Sequence, residues 1–222
     1  MTQLELMQAR HSVRNFLNKP IPEDIINLLN SEIDACNKEG GLRFWLVTEE
    51  PEAFRANKPH YGQFSGCRNY FVLVGPVGAD ETVGYYGERL VLKAQELGLN
   101  TCWVAITYRK GTVKLDLKSG EKLHLVIALG YGVDQGVAVH SSKPVSALSN
   151  CTESSPQWFK DGMEAVLLAP TAIHQQKFYI ENRDGVVYAR AKLGLYSKTD
   201  LGIVKYHFEL GAGKENFTWG TE

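Results

Sequence analysis

The feature that most constrains the fold is an order of elements that comes twice. Pro20-Ile21-Pro22-Glu23-Asp24 opens a helix with apolar positions Ile25, Leu28, Leu29 and Ile33 on one face, which Gly40-Gly41 ends. Leu42–Val47 then reads as a strand, Asn69–Val74 as a buried strand, and Thr82–Leu97 as a long helix closed by Gly98. After Ser141–Pro156, read as a connector, the order returns. Trp158–Leu168 reads as helix, Lys177–Ile180 and Gly185–Ala191 as strands, and Asp200–Ala212 as an amphipathic helix.

The register of the two passes agrees. An offset of 134 places Phe44-Trp45-Leu46 on Phe178-Tyr179-Ile180, and Ile25, Leu29 and Ile33 on Phe159, Met163 and Leu167. For the later helices an offset of 118 places Gly84 on Gly202, and Leu90, Leu92 and Ala94 on Phe208, Leu210 and Ala212. The drop puts a deletion in the second half where the first carries the polar surface excursion Glu49–Gly66. Apolar matches at helical spacing also arise between unrelated amphipathic helices, so the pattern alone fits both duplication and coincidence. Leu123–Leu129 adds a further core strand, and Met1–Met7 a short helix or arm.

Composition narrows the function. An apolar share of 44% supports a sizeable core, and a net charge of −1 without a basic block argues against nucleic acid as a partner. Cys36, Cys67, Cys102 and Cys151 lie far apart, which suits buried thiols in a reducing compartment and neither a disulfide framework nor a zinc site. No run reaches membrane-span length and the first residues have no apolar leader, so the expectation is a soluble, cytoplasmic protein with no membrane partner.

Three segments carry candidate chemistry. Arg10, Ser12 and Arg14 alternate, so in extended backbone two guanidiniums and a hydroxyl share one side and suit a phosphate; a solvated N-terminal turn is the other reading. Gly98–Ala105 leaves a helix through glycine into an apolar loop whose backbone could reach a ligand; taken alone it is an ordinary helix-to-strand link. Leu168–Phe178 gathers Thr171, His174, Gln175 and Gln176 after Pro170, polar donors in one tight loop that suit the edge of a flat ring, although a lone histidine is commonly structural. Gly75-Pro76-Val77-Gly78 lacks the full dinucleotide fingerprint, and Gly211-Ala212-Gly213-Lys214 is followed by Glu215 where a phosphate loop needs Ser or Thr. No metal-ligand run and no serine-hydrolase motif occurs.

Taken in order, these segments resemble the FMN-dependent nitroreductase family. RHSVRNF is similar to its phosphate-binding arm and YGERLVLKAQELGLNTCWVA to its long core helix and following loop. LVIALGYG with SSKP resembles its late strand and Lys-Pro element, and LAPTAIHQQKF its Pro-Ser-x-x-Asn-x-Gln loop. In that family the Pro-Ser loop follows the arm closely, whereas here Ala35–Gly41 keeps none of it and the motif stands at Pro170. The arrangement resembles a fused, shortened dimer with one surviving flavin site, the arm drawn from one half and the loop from the other.

The resemblance implies an α+β nitroreductase-like fold, a central mixed or antiparallel sheet flanked by helices, with two degenerate helix–strand–strand–helix halves. Residues 1–145 would form the half with the arm and 146–222 the shortened half with the loop, together one compact unit. It implies that Arg10, His11, Ser12 and Lys143 hold the phosphate and ribityl end of FMN, with Arg14 near the pyrimidine edge. Backbone groups of Val104 and Ala105 would face flavin N5, and Pro170, Thr171, Ala172 and His174 would close the other side. His174 replaces the usual Asn, and Lys177 replaces the Pro after Gln176. The implied activity passes electrons from NADH or NADPH through FMN to a nitroaromatic, quinone or similar flat small molecule, with no protein acid or base required. The alternative is a non-catalytic flavin-binding or redox-sensing module. The implied assembly is a monomer that mimics a homodimer.

Overall fold

A computed structural model describes residues 2–55, 63–136 and 141–221. The chain separates into two compact units that interleave along the sequence. One comprises Ala9–Ala79 and Arg89–Ala138 and is called here the sheet unit; the other, the hairpin unit, comprises Met1–Gln8, Asp80–Glu88 and Val139–Glu222.

The sheet unit holds α2 (Glu23–Gly40; α1 is Gln3–Ala9) and strands β1 (Arg43–Val47), β2 (Asn69–Pro76), β3 (Asn100–Val104) and β4 (Glu121–Gly130). The strands pair antiparallel in the order β1-β2-β4-β3. β2 and β4 are central, and their unbroken apolar runs are buried on both faces. Alternation assigns Tyr70, Val72 and Val74 of β2, with Val126 and Ala128 of β4, to one core cluster. Cys102 and Val104 of β3 belong to the same cluster. At the β1 edge, Asn37 of α2 donates from Nδ2 to the Phe44 carbonyl (2.9 Å) and accepts the Phe44 N–H at Oδ1 (2.6 Å). That satisfies groups an edge strand would otherwise expose.

The hairpin unit is built on α5 (Gln157–Leu167) and α6 (Ser197–Ala212), preceded by the short α4 (Val145–Leu148). Its sheet joins β5 (Phe178–Arg183) and β6 (Val186–Ala191) antiparallel through the turn Asp184-Gly185, both at positive φ. β7 (Thr218–Trp219) adds in parallel beside β6. Phe208 of α6 meets Phe159 of α5 edge to face at 5.8 Å and Phe217 at 5.1 Å. Helix α3 (Asp80–Glu96) runs from one unit into the other, Asp80–Glu88 belonging to the hairpin unit and the rest to the sheet unit. There His207 of α6 and Glu88 of α3, both fully buried, form a pair at 3.0 Å, and the second imidazole nitrogen of His207 lies 3.0 Å from the Ala165 carbonyl.

Several sequence expectations change. Gly98–Ala105 is not a loop: Asn100–Val104 is an edge strand, and the β4 ladder overrides the glycine signal that precedes it. Glu49–Gly66 is not wholly surface, because a short 3-10 turn at Glu52–Phe54 drives Phe54 into the core at 6% exposure; residues 56–62 of that stretch lie outside the described residues. Ser141–Pro156 contains α4, whose Leu148 is buried, and a bridge from Ser149 to Ile180. On α2 the buried stripe is Leu29, Ile33 and Cys36, while Leu28 is 48% exposed.

Candidate functional site

The arm is extended and fastened at three points. Ser12 bridges Thr101 on the outer edge of β3, Asn15 bridges Ser65, and Phe16 bridges Gly132. The Val13 N–H donates to the Thr101 carbonyl at 3.0 Å and the Phe16 N–H to the Ser65 carbonyl at 2.9 Å. Val13 and Phe16 are the anchors, buried in the core cluster. Arg10 is buried to 5% exposure, His11 and Arg14 are half-buried, and Ser12 is exposed.

Burial pushes the thiol of Cys102 on β3 up, against the pull of the Arg14 charge, the Ser12 hydroxyl and the Arg10 charge, so the thiol is no nucleophile. Val104 ends β3 two residues later, its backbone in the ladder opposite Val126, and Ala105 follows as the chain turns away. The sheet unit therefore gathers Arg10, His11, Ser12, Arg14, Val104 and Ala105 along β3.

The remaining expected residues gather in the hairpin unit. Pro170 ends the segment after α5, and Thr171, Ala172 and His174 lie in a tight loop before β5. Ile173, His174 and Gln176 all take positive φ (47°, 53° and 45°). Left-handed backbone at non-glycine residues costs on the order of 1–3 kcal/mol each, and it concentrates at functional sites. Lys143 spends its donors on this loop: Nζ reaches the carbonyls of Gln175 (2.6 Å) and Gln176 (3.1 Å), and its main-chain N–H reaches Gln176 Oε1 (2.8 Å). Partial burial, and then Lys177 and Lys192 nearby, lower its pKa. Gln176 is 1% exposed, and its Nε2 has no hydrogen-bond partner among the described residues. A buried amide donor without an acceptor is costly, and it fits a ligand that brings a carbonyl or ring-nitrogen acceptor.

Sequence reasoning missed Asp200. Its carboxylate accepts the Ala172 N–H at 3.0 Å and the Gln175 side-chain amide at 2.9 Å, yet Asp200 sits 25 or more positions along the chain from either donor. Its position at the start of an amphipathic helix reads as an ordinary first-turn acid, which masks this role.

With both residue groups defined, the comparisons are decisive for the family. Residues 2–212 match the family model described as "Putative TM nitroreductase". The chain belongs to this nitroreductase family. The fold agrees. A putative nitroreductase from Thermotoga maritima superposes with a TM-score of 0.65 at 21% identity, covering 95% of this chain and 83% of that one. A putative nitroreductase in complex with FMN, from Desulfovibrio desulfuricans, gives 0.50 at 18% identity over 65% of this chain and 93% of that one. A putative NADH dehydrogenase/NAD(P)H nitroreductase from Bacteroides thetaiotaomicron gives 0.50 at 20% identity over 65% and 94%. No curated protein matches the chain. Membership in this family makes the chain an oxidoreductase of the nitroreductase type. No helix among the described residues is long and apolar enough to cross a membrane.

Proposed function

We propose that this chain binds FMN and passes electrons from NADH or NADPH to a nitroaromatic, quinone or similar flat acceptor. The observation that carries the reading is the arm, whose extended backbone bridges β3 at Ser12, with the buried Arg10 two residues before it and the half-buried Arg14 two residues after. It has the charge and donors a phosphate ester needs. The buried, unsatisfied amide of Gln176 supports a second class of contact, to a heteroaromatic edge.

When bound, the flavin supplies hydride and electron transfer, which side chains lack. The protein's part is placement. Arg10, His11, Ser12 and Lys143 hold the phosphate and ribityl end, and Arg14 supplies positive charge that favours an anionic ligand. The backbone of Val104 and Ala105, and the loop residues Pro170, Thr171, Ala172 and His174, complete the contacts. No side chain is assigned as acid or base.

The chain also reads as a duplicated one, with halves 1–145 and 146–222, working as a monomer with one FMN. Sedimentation combined with flavin-to-protein absorbance tests this; an obligate dimer with two flavins rejects it. Turnover is tested by NAD(P)H oxidation with a quinone. Tight FMN binding without any NAD(P)H oxidation would favour a flavin-binding or redox-sensing module instead.

A further inference from the structure

The loop before β5 is held where its residues do not go unaided. Ile173 is β-branched and 75% exposed, so neither burial nor glycine-like freedom explains its positive φ. Such backbone persists only where surrounding groups over-determine it. Two side chains from outside the loop do so. One is Lys143, whose ammonium donates to the carbonyls of Gln175 and Gln176. The other is Asp200 on α6, 3% exposed, with Oδ1 on the Ala172 N–H (3.0 Å) and Oδ2 on Gln175 Nε2 (2.9 Å).

We propose that Asp200 is the positioning residue of this loop: its carboxylate, accepting from Ala172 and Gln175 together, holds the left-handed backbone of residues 173–176, and replacing either acceptor by a donor releases that backbone. The proposal concerns the loop itself. Its consequence for FMN rests on the function proposed above.

The donor inventory makes the role specific. Both partners of Asp200 are donors, so both oxygens accept, which the ionised carboxylate does with no hydrogen of its own to place. Asparagine at 200 sets its NH2 against that of Gln175. Gln175 cannot turn its amide over to compensate, because the same Nε2 also donates to the Leu195 carbonyl (2.5 Å). The carboxyl titrates in an accessible range: burial pushes it up to about 6, against the pull of the Gln175 and Ala172 bonds. The other titratable groups on the elements that meet there are Lys143, His174 in the loop, Lys177 ahead of β5, and Tyr196 and Lys198 at the start of α6.

The test uses the full chain without flavin, by NMR. The Ala172 amide proton is expected to titrate between pH 5 and 8 with a midpoint near 6, and to be flat in Asp200→Asn. Amides 172–176, after correction for intrinsic exchange, are expected to exchange at least tenfold faster in Asp200→Asn than in the wild type at pH 7.5, with β5 and β6 amides unchanged. Asp200→Glu should recover part of the protection. A pH-independent Ala172 amide, or a loop as protected in Asp200→Asn as in the wild type, overturns the proposal. Should Asp200→Asn fail to fold, the wild-type titration alone decides. FMN titration is then added: affinity at pH 7.5 should be at least tenfold weaker in Asp200→Asn than in the wild type. Binding that ignores the substitution removes the loop's dependence on Asp200 from ligand recognition. Absence of FMN binding at every pH rejects the proposed function and leaves the amide titration to judge Asp200.

Discussion

Gly84 and Gly202 make reciprocal contacts. A Cβ on Gly84 would stand 2.0 Å from the Thr199 carbonyl oxygen, and one on Gly202 would stand 1.9 Å from the Glu81 carbonyl oxygen. The offset of 118 that relates Gly84 to Gly202 also relates Glu81 to Thr199. The pairs 84–199 and 81–202 are the register of two antiparallel helices that meet closely at small residues. Because the opposing atoms are backbone, they have little freedom to give way. Gly84→Ala and Gly202→Ala should each destabilise the protein by about 2 kcal/mol or more, with a sub-additive double variant. Urea unfolding measures this, and near-native stability for either single variant would mean that α3 and α6 are not so closely apposed.

Arg10→Ala should weaken FMN binding tenfold to a hundredfold, the equivalent of losing a charge-assisted contact of roughly 1.5–3 kcal/mol. Flavin fluorescence during titration of apo-protein gives the affinity. An unchanged affinity would take the arm out of the ligand site.

The extended backbone of the arm was legible in its sequence, and the bridges at Ser12, Asn15 and Phe16 hold it in that form. The long helices and the strands β2, β4, β5 and β6 were legible because period and length agree there with burial. β3 was not. Its short run follows a glycine, and only pairing with β4 on one side and Ser12 on the other makes it a strand. α4 and β7 are four and two residues long, too short for any period to register. Asp200 was illegible because its task lies in two bonds to a segment distant in sequence.

The buried pair His207–Glu88 predicts a different asymmetry. Removing one partner leaves the other buried without its complement, at a cost on the order of 3–5 kcal/mol. His207→Leu and Glu88→Leu should each lower the melting temperature sharply, and the double variant should be less destabilised than the sum of the two. Strict additivity in thermal unfolding would show that the two side chains act independently.

Asp200 should make stability depend on pH in a sense opposite to most carboxylates. Burial pushes its folded pKa up to about 6, above the ordinary value of 3.8. The ionised form is therefore what folding disfavours: stability present below pH 3.8 is lost as the pH rises through 6, by roughly 3 kcal/mol in all. Asp200→Asn should gain on the wild type progressively between pH 4 and 7 in denaturant titrations, although its loop is looser. A pH-independent difference between the two proteins would place the Asp200 pKa at its ordinary value.

The thiols carry one more consequence. Burial pushes Cys36 and Cys67 up to about 12, and raises Cys102 as well. All three belong to the sheet unit, whereas Cys151, half-buried, belongs to the hairpin unit. Alkylating reagents capture thiolate, so in the native chain at neutral pH these three sulfurs are silent and Cys151 answers first. The sheet unit therefore contains its own stopwatch: at reagent concentrations where labelling outruns reclosing, the rate at which three silent sulfurs become labelled is the rate at which that unit opens, and mass spectrometry can read it without a single substitution.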